Sequence, residues 1–412
     1  MLNLFLKKFS AITLLLIIFE LKLAGIPLIS NKAAFELPDA ILSLIQNGAV
    51  LVTDRYDNIL LKYNENEPFT PASTIKIITS YFALSKLGEN YRFYTDVFFD
   101  SVNNDLYVKG YGDPFLVSEE IKSMAEQIGN QIKTVRNIYV DDSYFEDRLI
   151  IPGKGKTLNP YDSPNGALSA NFNTIAAKYN NRKKIYQSIE RETPITDFSA
   201  EYLKKIKFRG SSRINLKGSA DLPEKYFGSL LSYFLKETGV EVKGRVWKKK
   251  AINQNFLFRH YNRTNLADII NKIMISSNNF MINQIFLHIG ARDFGEPATL
   301  DKSVESFNNF IKYFTGVSEI KIKEASGLSR ENKINCLEMN FILNLFQKYK
   351  NLMRTKNEGN FKTGTLSGVY SIAGYYDSPR FGELKIIIFL QQKNNRRNVI
   401  LKKIIDFIEK QN

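Results

Sequence analysis

The hydrophobic positions of the chain change period several times, and each change predicts a new element. Ala49 to Asp54 (AVLVTD) and Ile59 to Tyr63 (ILLKY) are rich in β-formers, and the polar stretch Arg55-Tyr56-Asp57-Asn58 between them predicts a hairpin. Thr70-Pro71-Ala72-Ser73 then precedes IKIITSYFALSKLG, where Ile77, Ile78, Tyr81, Phe82 and Leu84 recur at helical spacing. Thr and Pro are start signals and Gly88 is a stop, so Ser73 is expected to open a helix. Between 94 and 257 the pattern breaks into short β-like pieces (FYTDVFFD, DLYVKG, NIYVDDSYF, RINLKG, EVKGRVW) punctuated by Gly, Pro and Asn. Helical periodicity returns from Leu266 to Tyr349, followed by strand-like Gly368 to Tyr376 and Leu384 to Gln391 and an amphipathic helix from Asn398 to Glu409. Strands at both ends around a helical middle predict one α+β domain, residues 36–93 plus 258–412, with a strand-rich insertion over 94–257.

Residues 1–25 have the layout of a secretory signal: Lys7 and Lys8 are the basic region, Ala11 to Phe19 the apolar segment, and Leu23-Ala24-Gly25 the small residues near a cut. Glu20 interrupts the apolar run short of the roughly 20 residues that span a bilayer, so cleavage is expected. Retention of the segment would leave the protein membrane-associated. Ala33-Ala34 is a second candidate cut. The mature protein is therefore expected outside the cytoplasmic membrane, in the periplasm or its equivalent.

Composition narrows the chemistry more than the class. Of 412 residues, 44% are hydrophobic and 24% charged, which excludes a disordered, collagen-like or polytopic membrane chain. One cysteine, Cys336, excludes an internal disulfide framework, and two histidines leave almost no material for Cys/His zinc sites or Cys–His nucleophilic pairs. Neither a metal nor a cofactor is expected, and reactivity has to come from Ser, Lys, Asp, Glu or Asn. Although 57 Lys+Arg against 42 Asp+Glu give a net charge of +15, the basic residues are dispersed. Runs such as Lys248-Lys249-Lys250 and Arg396-Arg397 are expected to be solvated faces, so no nucleic-acid partner is inferred; a positive surface suits a polyanionic wall substrate. The sequence carries no signal for an oligomeric state.

Three short motifs carry the candidate chemistry. Ser73-Thr-Ile-Lys76 places Ser and Lys at i, i+3, on one helix face. A serine hydroxyl needs a base to become nucleophilic, and a lysine whose pKa is lowered by burial or a neighbouring cation can be that base. Ser277-Asn278-Asn279 is a Ser-x-Asn triplet, with Ser276-Ser277-Asn278 as an alternative register, and Lys362-Thr363-Gly364 precedes a β-rich stretch. A strand edge there can hold an ammonium against a carboxylate while Gly364 keeps the backbone clear. Each motif alone is weak; the ordered set is far more specific because the roles interlock.

On these residues the chain resembles the serine penicillin-recognising enzymes, in particular the low-molecular-mass class C penicillin-binding proteins, the D-alanyl-D-alanine carboxypeptidase/endopeptidases of peptidase family S13. PASTIKIITSYFALSKLG, YGDPFL (Tyr111 to Leu116), DDSYF (Asp141 to Phe145), EASGLSR (Glu324 to Arg330) and GTLSGVYSIAG (Gly364 to Gly374) look like family segments, and the likeness covers roughly residues 45 to 410. The long interval between Ser73 and Ser277 sets the chain apart from simple β-lactamases. Two departures stand out: Asn278 replaces the family's usual Asp, and the insertion is somewhat short.

The resemblance implies a β-lactamase/transpeptidase-like fold, an antiparallel sheet flanked by helices. It implies that Ser73 attacks the penultimate D-Ala carbonyl with Lys76 as base, and that the N–H groups of Ser73 and Thr365 form the oxyanion hole. Ser277 would relay a proton to the leaving D-Ala, Asn279 would hold Lys76 and the substrate amide, and Lys362 with Thr363 and Thr365 would bind the terminal carboxylate beside Gly364. Leu328 and Arg330 would lie beside the substrate side chain, with Asp142 from the insertion meeting its amino group. The partners implied are peptidoglycan stem peptides and β-lactams. The rival readings are a β-lactamase or esterase with the same acylation machinery, and a non-catalytic wall-binding protein. Gly153-Lys-Gly-Lys-Thr157 imitates the end of a P-loop, but Ile150 stands where its first Gly belongs.

Overall fold

Successive side chains of a strand point to opposite faces, and the first strand, β1 (Gly48–Asp54), buries both of them. Ala49 and Leu51 enter one apolar cluster while Val50 and Val52 enter another. That double burial is why AVLVT is apolar throughout instead of alternating. The computed structural model describes residues 35–411 apart from 148, 220, 252–254, 316–319 and 357–358; the signal-like residues 1–25 and Ala33-Ala34 lie outside the described residues. A short helix α1 (Asp39–Leu42) precedes β1, and β2 (Ile59–Tyr63) pairs antiparallel with it across the expected hairpin. A 3₁₀ turn, Ala72–Ile75, then runs into α2 (Lys76–Leu87), which stops at Gly88 with φ +83°.

The chain leaves this domain at Phe93. It forms β3 (Tyr94–Asp100), β4 (Asp105–Gly110), α3 (Ser118–Gly129), β5 (Thr134–Val135), β6 (Ile138–Asp141), β7 (Thr174–Asn180) and β8 (Ile185–Ser188). It continues through α4 (Asp197–Lys205), β9 (Ser211–Asn215), α5 (Leu222–Glu237), β10 (Glu241–Val242), β11 (Val246–Lys248) and β12 (Asn255–Tyr261). The strands form a five-stranded sheet, β11-β6-β4-β3-β12, a three-stranded sheet, β8-β7-β9, and the pair β10-β5. Because β12 pairs antiparallel with β3, the excursion closes on its own first strand and runs across the expected return at 258. The Asn262 N–H then donates to Phe93 O at 2.8 Å, bringing the two ends together. Two of the insertion's helices show the apolar spacing that makes them: Ile121, Met124, Ala125 and Ile128 of α3 pack with Leu230, Leu231 and Phe234 of α5 in one core.

Back in the first domain come α6 (Leu266–Ser276), α7 (Asn279–Phe294), α8 (Leu300–Thr315) and α9 (Cys336–Phe346). Four strands follow, β13 (Arg354–Lys356), β14 (Gly359–Leu366), β15 (Val369–Ser378) and β16 (Gly382–Gln391), and then α10 (Arg397–Ile408). With the first two strands they make a six-stranded sheet, β13-β14-β15-β16-β1-β2, whose neighbours all pair antiparallel. One face packs on α2, α6, α7, α8 and α9; the other is covered by α10 and α1. Cys336 is buried in the first of these layers. Among the described residues no helix is long and apolar enough to cross a membrane.

Phe82 of α2 is fully buried against Phe286, Phe307 and Phe310, with ring centroids 6.0, 5.5 and 5.1 Å away. Phe82→Ala is expected to destabilise the protein by about 3–5 kcal/mol through lost transfer energy and the cavity left behind. Denaturant unfolding checks this; an unchanged midpoint would mean that the cluster is outside the cooperative core.

Candidate active site

The 3₁₀ turn exists because Pro71 leads into it and because Ala72 accepts φ +46°, a left-handed conformation costly for a residue with a Cβ. Two glycines make the turn's position possible. A Cβ on Gly327, itself at φ +86°, would sit 2.0 Å from Ala72 O, and one on Gly364 would sit 2.6 Å from Ser73 N. The Ser73 backbone is thus clasped between the SGLSR segment and β14, with its side chain half-buried at the cleft.

Lys76, the first residue of α2, is completely buried. Its Nζ lies 3.0 Å from Ser73 Oγ, and it donates to Asn279 Oδ1 at 2.7 Å and to Ser326 O at 2.5 Å. Burial holds its pKa well below the usual lysine value, the nearby Lys362 ammonium adds to the effect, and Glu324 opposes it. The expected Ser-x-x-Lys pair is therefore brought together with Asn279.

Ser277 caps the C-terminus of α6 in the left-handed conformation, φ +57°, its N–H donating to Ile273 O at 2.8 Å. The chain reverses there and Asn278 caps α7, its Oδ1 accepting from the Met281 N–H at 3.0 Å. Asp and Asn serve equally as N-caps, which accounts for Asn278 in place of the expected acid. The elbow sends Asn279 toward Lys76 and Ser277 toward Lys362, whose Nζ donates to Ser277 Oγ at 2.9 Å. Ser276 faces away, its Oγ donating to Lys272 O at 2.6 Å, so the register that reaches the cluster is Ser277-Asn278-Asn279.

Lys362, 3% exposed, also donates to Thr363 O at 3.0 Å. Burial, reinforced by Arg397, lowers its pKa to about 8. Along β14, Lys362 and Gly364 point inward while Thr363 and Thr365 are exposed, the period of two of a strand.

Two residues unassigned from sequence complete the arrangement. The Glu324 carboxylate, fully buried, accepts from the N–H groups of Ser326, Gly327 and Ser329 at 2.7, 2.7 and 3.1 Å, from Ser326 Oγ at 2.6 Å, and from Asn283 and Asn332 Nδ2 at 3.1 and 3.0 Å. It folds the loop that delivers Ser326 O to Lys76. Arg397, at the start of α10, donates to Gly364 O at 2.7 Å, Ser371 O at 3.0 Å and Thr365 Oγ1 at 3.2 Å, fixing β14 from behind. Glu324 as the one acidic residue of EASGLSR is the available signal for it; Arg397 sits in an RR pair that reads as surface.

Arg330 and Asp142 lie apart from this cluster. Arg330 donates to Ser367 O at 2.5 Å in the β14–β15 turn. Asp142 accepts from Lys248 at 2.9 Å, and the same ammonium reaches Asp147 at 2.9 Å and Glu224 at 3.0 Å. These four residues line a cavity of about 710 Å³ in the insertion. Among the described residues no group of three or more His, Cys, Asp or Glu could hold a metal ion.

The D-Ala-D-Ala carboxypeptidase 3 (S13) family matches residues 37–358. A D-alanyl-D-alanine carboxypeptidase of Actinomadura sp. (strain R39) is 24% identical over 85% of this chain and 79% of its own length. The D-alanyl-D-alanine carboxypeptidase DacB of Haemophilus influenzae is 22% identical over 93% of each chain. The crystal structure of penicillin-binding protein 4 (dacB) from H. influenzae superposes with a TM-score of 0.73 at 18% identity, over 90% of this chain and 99% of that one. The expected α+β, β-lactamase/transpeptidase-like fold is thus the one observed, and the chain belongs to the D-Ala-D-Ala carboxypeptidase family S13.

Proposed function

We propose that Ser73 is the nucleophile of a serine-type D-Ala-D-Ala carboxypeptidase that works outside the cytoplasmic membrane on peptidoglycan stem peptides and is acylated by β-lactams. The observation that carries this reading is the surroundings of Lys76 Nζ. A neutral amine has two hydrogens and one lone pair; Asn279 Oδ1 and Ser326 O take the hydrogens, and the lone pair is left for the Ser73 hydroxyl at 3.0 Å. The lowered pKa favours that neutral form.

In this reading Ser73 Oγ bonds to the penultimate D-Ala carbonyl carbon as its proton passes to Lys76. The oxyanion accepts from the Ser73 and Thr365 N–H groups, donors worth about 2.7–4 kcal/mol each when preorganised. As the C–N bond breaks, Ser277 passes a proton to the leaving amine, while Lys362, Thr363 and Thr365 hold its carboxylate. Water then hydrolyses the ester and restores Ser73. Glu324 and Arg397 act through other groups, as positioning residues. Arg330 and Asp142, expected at the substrate side chain, are assigned here to the turn and to the insertion cavity that their hydrogen bonds reach.

The test is to incubate the protein with a D-Ala-D-Ala stem peptide and with penicillin, reading released D-Ala and intact mass. Release of D-Ala with a stable adduct supports the reading. Rapid loss of the adduct with turnover of a chromogenic cephalosporin would favour a β-lactamase, and absence of both would favour a wall-binding protein.

The pH dependence follows from two lysines with opposite requirements. Lys76 must be deprotonated to act as base, so kcat/KM rises with pH through its depressed pKa. Lys362 must stay protonated to hold a carboxylate, so kcat/KM falls as pH rises through about 8. A bell with its alkaline limb near 8 is expected; a rate still climbing at pH 10 would contradict the assignment.

A further inference from the structure

The two oxygens that take the hydrogens of a neutral Lys76 amine lie on separate elements: Asn279 opens α7, and Ser326 belongs to the SGLSR loop. One segment of the insertion, residues 153–166, touches both of these elements. It starts in the Gly153-Lys-Gly-Lys-Thr157 run. On the loop side, Gly153 approaches so closely that a Cβ there would sit 2.3 Å from Leu328 O and 2.6 Å from Ser329 N, whose N–H Glu324 accepts at 3.1 Å. On the helix side, Asn165 Nδ2 donates to Phe280 O at 3.1 Å and to Gln284 Oε1 at 2.9 Å, and Gln284 Nε2 donates back to Gly166 O at 2.7 Å. Gln284 is fully buried and Asn165 is 9% exposed, so water competes little for these amides.

The segment is braced from behind. Lys154 Nζ donates to Ser163 O and, at 3.3 Å, to Asn165 Oδ1. Asn165 thus gives both amide hydrogens to α7 while Lys154 holds its oxygen, which fixes the orientation of the amide. Phe280 is the neighbour of Asn279, so the carbonyl that Asn165 grips belongs to the first turn of the helix that aims Asn279 at Lys76. Placement of a reacting group matters on a fine scale: a shift of about 1 Å caused far from the chemistry can cost about 10²-fold in rate. A strut in contact with both supports of the amine stands where it limits such a shift.

We infer that residues 153–166 are a strut through which the insertion holds the Lys76 amine in register, with Asn165 and Gln284 as positioning residues for the acylation step. This rests on the assignment of Ser73 and Lys76 made above. Asn165 and Gln284 act through the first turn of α7, whereas the groups assigned to the substrate carboxylate, Lys362, Thr363 and Thr365, stand on β14. The pair therefore governs how fast a bound β-lactam acylates Ser73 and not how tightly it binds. Because the two amides serve one contact, their losses should not multiply when both are removed.

The experiment measures the rate of acylation by penicillin over a range of concentrations in the wild type, N165A, Q284M, the double variant and E296Q, with thermal unfolding of each. Gln284→Met nearly preserves the shape of a buried side chain, so the amide is removed without opening a large cavity. Glu296→Gln weakens a different contact between insertion and host, the ion pair with Lys109 Nζ at 3.1 Å, and serves as control. The limiting acylation rate should fall roughly tenfold in each single variant, while the half-saturating concentration and the control's rate stay within about twofold of the wild type. The double variant should lose less than the product of the single losses. A raised half-saturating concentration at an unchanged limiting rate, no change in either, losses that multiply, or an equal fall in the control would overturn the inference. A wild type that penicillin does not label overturns the Ser73 assignment and the strut with it, whereas labelling with unaltered variants overturns the strut alone.

Discussion

Ser73→Ala is expected to eliminate covalent labelling by penicillin and to lower D-Ala release by about 10⁶-fold, the scale of loss when a catalytic serine is removed. The effect is large because the other hydroxyls of the cluster are engaged elsewhere, Ser277 Oγ with Lys362 and Ser326 Oγ with Glu324. Lys76 Nζ keeps its contacts with Asn279 and Ser326, so the amine stays oriented, but no atom remains to form the ester. The fold should be indifferent, since Ser73 is half-buried and, among the described residues, its Oγ makes only a 3.5 Å contact to Ser326 O besides that to Lys76. Intact mass after incubation with penicillin, with thermal unfolding as control, decides the matter. An adduct on the variant at the wild-type rate would place the nucleophile elsewhere.

Lys76→Met is the second large effect, with an expected loss of about 10²- to 10⁴-fold in the acylation rate, the usual contribution of a positioned base. Methionine nearly matches lysine in length and suits a fully buried position, so the amine is removed without opening a large cavity. Two stability terms oppose each other. Burying a titratable amine is costly and that cost disappears, while Asn279 Oδ1 and Ser326 O lose their donor, at about 1–3 kcal/mol for each acceptor left unsatisfied. Denaturant unfolding of the variant reads their balance, and the kinetic loss is measured separately from it. The diagnostic feature is the pH profile: the acid limb of kcat/KM should vanish with Lys76 while the alkaline limb near 8, owed to Lys362, remains. A variant that retains the acid limb would show that another group is the base.

The helical and strand elements around the site are legible in the sequence where burial imposes a period. The hairpin, α2 from IKIITSYFALSKLG, and the closing strands and helix follow from apolar spacing and from start and stop residues. The motif residues are legible because three short patterns occur in one order. What escapes is geometry held by backbone conformation or by partners far along the chain. Propensity does not reveal that Ser73 stands on a 3₁₀ turn behind a left-handed Ala72, or that Ser277 is itself left-handed. Glu324 becomes important only when the loop it folds meets Lys76, and its sequence neighbours say nothing of that. Arg397 looks like half of a surface pair until α10 carries it behind β14. The helices of the insertion were hidden differently: short β-like runs dominate 94–257, yet SEEIKSMAEQIG and LPEKYFGSLLSYFLKE carry the apolar spacing of α3 and α5.

The joining of the insertion's two ends bears on how such a chain is inherited. Asn262 N–H donates to Phe93 O, and four residues on Leu266 N–H donates to Tyr91 O, both at 2.8 Å. To the host domain, the whole excursion is equivalent to a tight turn between α2 and α6. The entropy of closing a loop grows only with the logarithm of its length, and here the pairing of β3 with β12 does the closing. The excursion also leans on the host beside the site, where Asn165 Nδ2 donates to Phe280 O at 3.1 Å and to Gln284 Oε1 at 2.9 Å, so a lineage can lengthen, trim or exchange what lies between residues 93 and 262 only where that contact with α7 is kept.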